Sequence, residues 1–381
     1  MQIKYGKDHK HLADGSYPLY GSGGVMRYVE KPLYDDESIL IPRKGTLSNL
    51  FFLDKPFWSV DTMFYSIINK KLVFPKYLFY TLKTFDLASL NVGSAVPSLT
   101  TEVLNEVPIT IPDLPTQTAI AEILSSLDDK IELNNKINLE LEQLAQTLFK
   151  QWFIDFEFPN ENGEPYKSSG GEMVESELGE IPKGWEVKNL DEISNITIGR
   201  TPPRQEHHWF SENPNDVKWI SIKDMGNCGT YISETSEYLT EEAVTKFKIP
   251  TIEKNTVIIS FKLTVGRISI TTERMLSNEA IAHINLINKE LSPEFIYLYL
   301  KQFDFDSLGS TSSIATAVNS KSIKAIKIYK PSKDVLKLFQ LQVEALFHQL
   351  FNNTFEKREL TNLRDTLLPK LISGELAVSS L

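Results

Sequence analysis

The sequence predicts an α+β protein. Two tandem domains of mixed α/β structure are separated by two long helices, which form an intramolecular antiparallel coiled coil with pseudo-two-fold symmetry. Three observations lead there. The chain of 381 residues is long enough for two or three domains. It repeats itself once, at a period far longer than any solenoid. Each copy ends in a heptad pattern that suits a coiled coil rather than a surface helix.

The repeat keeps its register through several kinds of segment. At a shift of 219, Leu127 falls on Leu346, Asn134 on Asn353, Leu141 on Leu360 and Leu148 on Leu367. At a shift of 218, Ile39-Leu40-Ile41 falls on Val257-Ile258-Ile259, Lys44 on Lys262 and Ser59 on Ser277. The same shift places Pro75-Lys76-Tyr77-Leu78 on Pro293-Glu294-Phe295-Ile296. At a shift of 193, Ile3-Lys4-Tyr5-Gly6 resembles Ile196-Thr197-Ile198-Gly199. The second copy carries about 25 extra residues between positions 200 and 257.

The expected order is a first globular domain over 1–115, a long helix over 116–156 and a linker over 157–184. A second globular domain over 185–333, a second long helix over 334–373 and a tail over 374–381 follow. In the globular parts, strand-like runs occur at Ser38–Pro42, Met63–Ile68 and Val107–Ile111. Their counterparts are Val257–Phe261, Arg267–Thr271, Ala282–Ile287 and Ile326–Ile328. Short helices are expected at Pro75–Phe85 and Pro293–Phe303, each with proline in its first turn.

Pro115-Thr116 and Pro331-Ser332 open the long helices. One seam column reads Ile120, Leu127, Asn134, Leu141, Leu148, and its mate reads Phe339, Leu346, Asn353, Leu360, Leu367. Each helix would run roughly 40 residues, or about 60 Å. Pro369 is expected to kink or break the second near its end. A polar residue in an apolar seam fixes register at some loss of stability. Asn134 and Asn353 lie at the helix midpoints, so antiparallel packing would bring them into contact.

The loops are rich in glycine, histidine and cations. The first copy offers Lys4, Lys7, His9, Lys10, His11, Arg27, Arg43 and Lys44. The second offers Arg200, Arg204, His207, His208, Lys223, Lys262 and Arg267. Such side chains beside glycine can approach a phosphate backbone and reach base edges in the major groove. The paired histidines lack cysteine and carboxylate partners at ligand spacing, so no metal site is expected.

Enzyme signatures are missing. There is no G-x-x-x-x-G-K-[ST], no G-x-G-x-x-G after a strand, no H-E-x-x-H and no G-x-S-x-G. No compact Asp/Glu/Lys cluster recurs in both copies. Recognition is favoured over catalysis. A lone cysteine, Cys228, excludes an internal disulfide framework and points to the cytoplasm. No apolar run approaches bilayer length.

The net charge of −10 at first argues against nucleic acid. Divided by the repeat, it reads differently. Residues 1–115 carry 12 basic and 12 acidic groups, and residues 185–333 carry 18 and 18. Residues 116–184 carry 5 and 14. The acidic excess sits on the first helix and linker, so the globular domains need only gather their cations on one face.

Together these residues resemble the specificity subunit of a type I DNA restriction–modification system. The resemblance rests on Tyr5-Gly6-Lys7-Asp8-His9-Lys10, Tyr20-Gly21-Ser22-Gly23-Gly24 and Ile109-Thr110-Ile111-Pro112-Asp113-Leu114-Pro115-Thr116-Gln117. Phe156-Glu157-Phe158-Pro159-Asn160, Ile181-Pro182-Lys183-Gly184-Trp185 and Leu368-Pro369-Lys370-Leu371-Ile372-Ser373-Gly374-Glu375-Leu376 add to it. It implies that each globular part is a target recognition domain reading one half of a split double-stranded DNA sequence. The coil would set the gap and dock two methyltransferase (modification) subunits, which modify an adenine in each half-site. Restriction/translocase subunits would join through the complex. S-adenosylmethionine, ATP and Mg would belong to those partners, leaving this chain without cofactor or catalytic residue. The other reading left open is a non-catalytic coiled-coil adaptor without sequence-specific DNA binding. One departure stands out: at the 193 shift Trp185 maps before residue 1, so the first domain is expected to be short at its front by about ten residues.

Overall fold

The computed structural model describes residues 1–93, 96–288, 290–308 and 318–378. Of the expected tail, 379–381 lie outside the described residues, as do 289 and 309–317 of the second domain. The chain divides into two compact units. One holds Met1–Glu132 with Arg358–Leu381, the other Leu133–Lys357. The division cuts both long helices, Leu114–Phe149 and Lys333–Ser373, so each unit owns half of each.

In the first unit, strands β1 (Gln2–Tyr5), β2 (Asp14–Gly21), β3 (Gly24–Val29), β4 (Ser38–Pro42), β5 (Phe51–Leu53), β6 (Trp58–Ser59) and β7 (Met63–Ile67) form two sheets. The orders are β1-β7-β4-β5 and β3-β2-β6. The first sheet is antiparallel throughout, whereas β6 runs parallel to β2. Every residue of β4 is buried, which is why Ser38-Ile39-Leu40-Ile41-Pro42 reads as a continuous apolar run. Strand alternation sends Ile39 and Ile41 into one core with Phe64, Leu78 and Leu82. Leu40 goes to the other, with Leu19, Phe57, Trp58 and Met63.

The helix Pro75–Lys83 starts with proline at its first turn and bridges two layers. Leu78 and Leu82 face the sheet, while Tyr77 and Tyr80 pack on Ile120, Ala121, Leu124 and Leu371 of the long helices. The buried Gln117 amide locks this junction. Its Oε1 accepts from Phe74 N–H (2.8 Å), and its Nε2 donates to the carbonyls of Leu72 (3.2 Å) and Pro112 (2.8 Å).

The second unit opens its strand set with the hairpin β8 (Met173–Ser176) and β9 (Gly179–Pro182). Then come β10 (Glu186–Asn189), β11 (Ser194–Ile198), β12 (Phe210–Ser211), β13 (Val217–Ile220), β14 (Tyr231–Ile232) and β15 (Glu237–Leu239). The set closes with β16 (Val257–Ser260), β17 (Ile268–Thr271), β18 (Leu276–Ser277), β19 (Ile281–Leu286) and β20 (Lys327–Lys330). Its sheets are ordered β11-β19-β16-β17-β14 and β12-β15-β13-β18, with β10 paired to β20. The plan of the first unit returns: β16 takes the place of β4 and β19 that of β7, while the parallel pair β13/β18 matches β2/β6. Val257 and Ile259 enter one core and Ile258 another, as their counterparts do. The extra residues of the second copy build helices Ile222–Asn227 and Glu241–Phe247 and the edge strand β14.

Several expectations change. Val107–Ile111 is not a strand. Its counterpart β20 pairs with β10, and the described residues of 1–115 contain no strand equivalent to β10. The segment 157–184 is folded rather than a bare linker: Phe158 and Ile181 are core residues, and Phe158 stacks on Tyr166 (4.6 Å) and Trp185 (5.3 Å). The first long helix ends in a π-helical turn, Lys150–Ile154, that buries Trp152 and Phe153. The second runs through Pro369 to Ser373, held by the packing of the buried Leu371. So close to the helix end, proline removes one bond without stopping it.

The helices pack antiparallel within each unit. Arg364 meets Asp128 in the first (2.7 Å). In the second, Phe339 meets Phe149 (ring centroids 5.9 Å). Ile120 and Phe339 are buried, Leu141, Leu148, Leu346 and Leu367 pack on the cores, and Leu127 and Leu360 are half-buried. Asn134 and Asn353 are both buried in the seam, but each bonds a residue other than its repeat mate. Asn134 Nδ2 donates to Glu356 (2.8 Å), and Asn353 Nδ2 donates to Asn138 (2.8 Å). The two helices are staggered by about one turn relative to midpoint-on-midpoint pairing.

Candidate nucleic-acid interface

In the first unit the basic loop 6–12 is fixed by its backbone. A Cβ on Gly6 would lie 2.0 Å from the Val60 carbonyl oxygen, so only glycine lets the chain come this close. Gly6 N–H donates to Met63 O (2.9 Å), Lys7 N–H to Ser59 O (2.9 Å), and the Trp58 indole to Lys7 O (3.1 Å). Arg27 clamps the far side through Asp14 (2.8 Å) and the carbonyls of His9 (2.9 Å) and Leu12 (3.0 Å). Lys7, Lys10 and His11 are left exposed, while the half-buried His9 has an unpaired Nδ1.

Two further loops join this edge. Asn49 donates to Ser22 O (2.9 Å), which brings 43–49 to the β2–β3 tip. Arg43 donates to Asp61 O (3.0 Å) and lies over the Tyr5 ring (5.5 Å), with Lys44 exposed beside it. Lys4 lies on strand β1 rather than on a loop, exposed and opposite Tyr65.

The second unit repeats the device with a change of donor. A Cβ on Gly199 would lie 2.2 Å from Ser277 O. Gly199 N–H donates to Ile281 O (3.2 Å), Arg200 N–H to Ser277 O (2.9 Å), and the Trp219 indole to Arg200 O (3.1 Å). Met63 and Ile281, like Ser59 and Ser277, are repeat mates at a shift of 218. The tryptophans are not. Trp58 lies on β6 and Trp219 on β13, the strand that replaces β2. Each unit supplies the same indole bond from opposite sides of its parallel strand pair.

Around this anchor, Arg200 donates to Phe247 O (3.0 Å). Arg204 lies over Phe210 (4.2 Å) and Trp219 (4.7 Å) and grips Glu237 through two bonds (2.6 and 3.0 Å). Arg267 is half-buried and donates to Ile222 O (2.6 Å). Like Arg27, these arginines shape the loops. Lys223, Lys262 and His207 are exposed, and His208 packs against Trp209 (4.1 Å). Glu279 accepts from Thr201. Burial pushes its carboxyl up, but that bond and the Lys262 and Arg204 charges outweigh it and hold the group below its ordinary range.

Among the described residues no three His, Cys, Asp or Glu side chains gather as a metal site. His283 is buried between Ser277 (2.6 Å) and Thr197 (3.0 Å), and burial pushes its pKa down to about 4. It is a neutral structural group.

Carboxylates tie each domain to its helices, and sequence reasoning passed over them. In the first unit Asp128 accepts from Tyr80 (2.7 Å) and Arg364 (2.7 Å). In the second, Glu142 accepts from Tyr297 (2.7 Å), Thr230 (3.2 Å), Gln146 (3.1 Å) and Lys301 (3.0 Å).

The model of the type I restriction modification DNA specificity domain matches residues 4–143 and 182–364. The chain belongs to this family. Relatives of this specificity-subunit family include the type I restriction enzyme HindI specificity subunit of Haemophilus influenzae, 30% identical over 366 residues, covering 81% of this chain and 79% of that one. The MjaIX specificity subunit of Methanocaldococcus jannaschii is 30% identical over 395 residues, covering 98% and 86%. The fold is like that of the type I restriction-modification S subunit from M. genitalium, with a TM-score of 0.60, 18% identity, and 97% and 93% of the two chains covered. Among the described residues no helix is long and apolar enough to cross a membrane.

Proposed function

We propose that this chain is the sequence-specific DNA-recognition subunit of a type I restriction–modification complex, with one half of a bipartite target read by each globular domain. The observation that carries this is the duplicated loop anchor. Gly6-Lys7 and Gly199-Arg200 are pinned by the same two backbone bonds and an indole, and each presents basic loops at one edge of its domain. Exposed Lys7, Lys10, His11, Lys44, Lys223, Lys262 and His207 would approach the duplex, with Arg43 and Arg200 beside them. Lysine and arginine position a protein on phosphates, while base edges supply specificity.

In this reading the coil sets the spacer and docks two methyltransferase subunits, through which restriction/translocase subunits join. S-adenosylmethionine, ATP and Mg act on those partners. This chain works in the cytoplasm and carries no catalytic residue. Its globular parts are neutral overall, so partners supply part of the phosphate contact, and affinity falls as salt rises. Methylome sequencing of cells with and without this gene tests the proposal. Loss of one bipartite adenine-methylation motif supports it; an unchanged methylome in cells expressing the complex contradicts it and returns the adaptor reading.

A further inference from the structure

The loop joining β16 to β17 holds an unusual residue at its tip. Leu263 is 93% exposed and has φ +64°. Thr264 N–H donates back to Lys262 O (2.8 Å), which closes a three-residue turn around it. A positive φ in such a turn is rare, and for a bulky side chain it marks strain. At a shift of 218 the first domain has Gly45, with φ +92°, the residue type this backbone favours.

The rest of the loop enforces the conformation. Ser260 Oγ donates to Thr264 O (2.5 Å) and accepts from Arg267 N–H (3.0 Å), while Gly266 N–H donates to Ser260 O (2.9 Å). Arg267 ties the loop base to the helix that carries Lys223. On the other side, Lys262 and Arg204 both act on Glu279. A bare leucine is thus held out, in a disfavoured backbone, among the cations of the second domain. Strain that the surroundings over-determine points to a role in binding.

We propose that Leu263 is an apolar base reader: it enters the major groove of the half-site read by the second domain and packs on the 5-methyl group of a thymine. This rests on the DNA-recognition reading above. The methyl is the apolar mark that separates thymine from the other bases in that groove. Glycine at position 45 gives the first domain no such side chain.

The test uses the full chain assembled with its modification subunits and a duplex bearing its methylated motif. Thymines of the second half-site are replaced by uracil, which lacks the methyl, one at a time. One replacement should weaken wild-type binding about fourfold, as loss of a single buried methyl implies. In the Leu263→Gly complex that same replacement should have no effect, while discrimination in the first half-site is unchanged. Glycine suits the backbone, so the variant's melting temperature should stay level or rise. The proposal is overturned if no uracil weakens binding, or if the penalty is equal in both complexes. It is also overturned if Leu263 instead unstacks a base step, seen as brighter 2-aminopurine without a uracil penalty. Sequence-independent binding by the wild-type complex would overturn the DNA-recognition reading itself, and this inference with it.

Discussion

Replacing Glu142 by alanine should lower the unfolding midpoint of the second unit by about 5–10 °C. The carboxylate is mostly buried on the first long helix, where it receives the Tyr297 hydroxyl (2.7 Å), Thr230 (3.2 Å) and Lys301 (3.0 Å). Tyr297 is almost wholly buried, and without Glu142 its hydroxyl keeps only the longer contact to Thr230 (3.4 Å). Leaving a buried hydroxyl with only that long bond costs up to the penalty of an unsatisfied donor, about 1–3 kcal/mol. Lys301 is a third exposed, so its ion pair adds about 0.5 kcal/mol after screening. The sum, about 1.5–3.5 kcal/mol, gives a shift centred on about 7 °C at about 2–4 °C per kcal/mol for a unit of this size. Tryptophan fluorescence follows it, because Trp152, Trp185, Trp209 and Trp219 lie in this unit and only Trp58 in the other. In a double-mutant cycle with Tyr297→Phe, the two losses should overlap by about 1–2 kcal/mol. Burial alone would raise the Glu142 pKa, but Lys301, Tyr297 and Thr230 together hold it below the ordinary value. A lowered carboxylate stabilises above its unfolded pKa of about 4.3 and loses that contribution as pH falls through the folded value. The advantage of wild type over Glu142→Gln should therefore be full at pH 6 and shrink below about pH 4. A midpoint unmoved by Glu142→Ala, or an advantage that grows on acidification, would show that this carboxylate does not hold the domain to its helix.

Other outcomes follow from the same geometry. Asn134→Leu should stabilise the chain by up to about 1 kcal/mol in urea titrations, because it removes a buried Oδ1 without a hydrogen-bond partner and loses only a bond to the exposed Glu356. Trp58→Phe deletes the donor to Lys7 O and should lower stability by about 1 kcal/mol. Its effect on base preference should be confined to the first half-site, and that of Trp219→Phe to the second, read by competition binding with randomised half-sites. Inserting one heptad into each long helix should lengthen the spacer by about 3 base pairs and leave the half-sites alone. A methylome with an unchanged gap would contradict that.

The repeat made most of the fold legible. A continuous apolar run such as Ile39-Leu40-Ile41 could only be a central strand covered on both faces, and its mate in the second copy confirmed the register. The seam was equally readable, because spacing of seven survives any loop change. Partner-dependent features were not readable. Val107–Ile111 has strand propensity, yet a strand needs a neighbour, and its mate β20 has one only in the second unit. The stagger of Asn134 and Asn353 is set by packing along both helices, which helix midpoints do not encode. Cation-rich loops could be read from composition, but Arg27, Arg204 and Arg267 look like free cations until their internal acceptors are seen. The indole anchors stayed hidden because Trp58 and Trp219 come from non-equivalent strands, so no alignment of the two copies pairs them.

In the proposed function each domain reads its own half of a split target. The most direct measurement is methylome sequencing of cells that express the complex with Lys7, His9 and Lys10 all replaced by alanine in this chain. The expected motif is relaxed or altered in one half, with the other half and the gap unchanged. Equal loss of both halves, with the complex still folded and assembled, would contradict it.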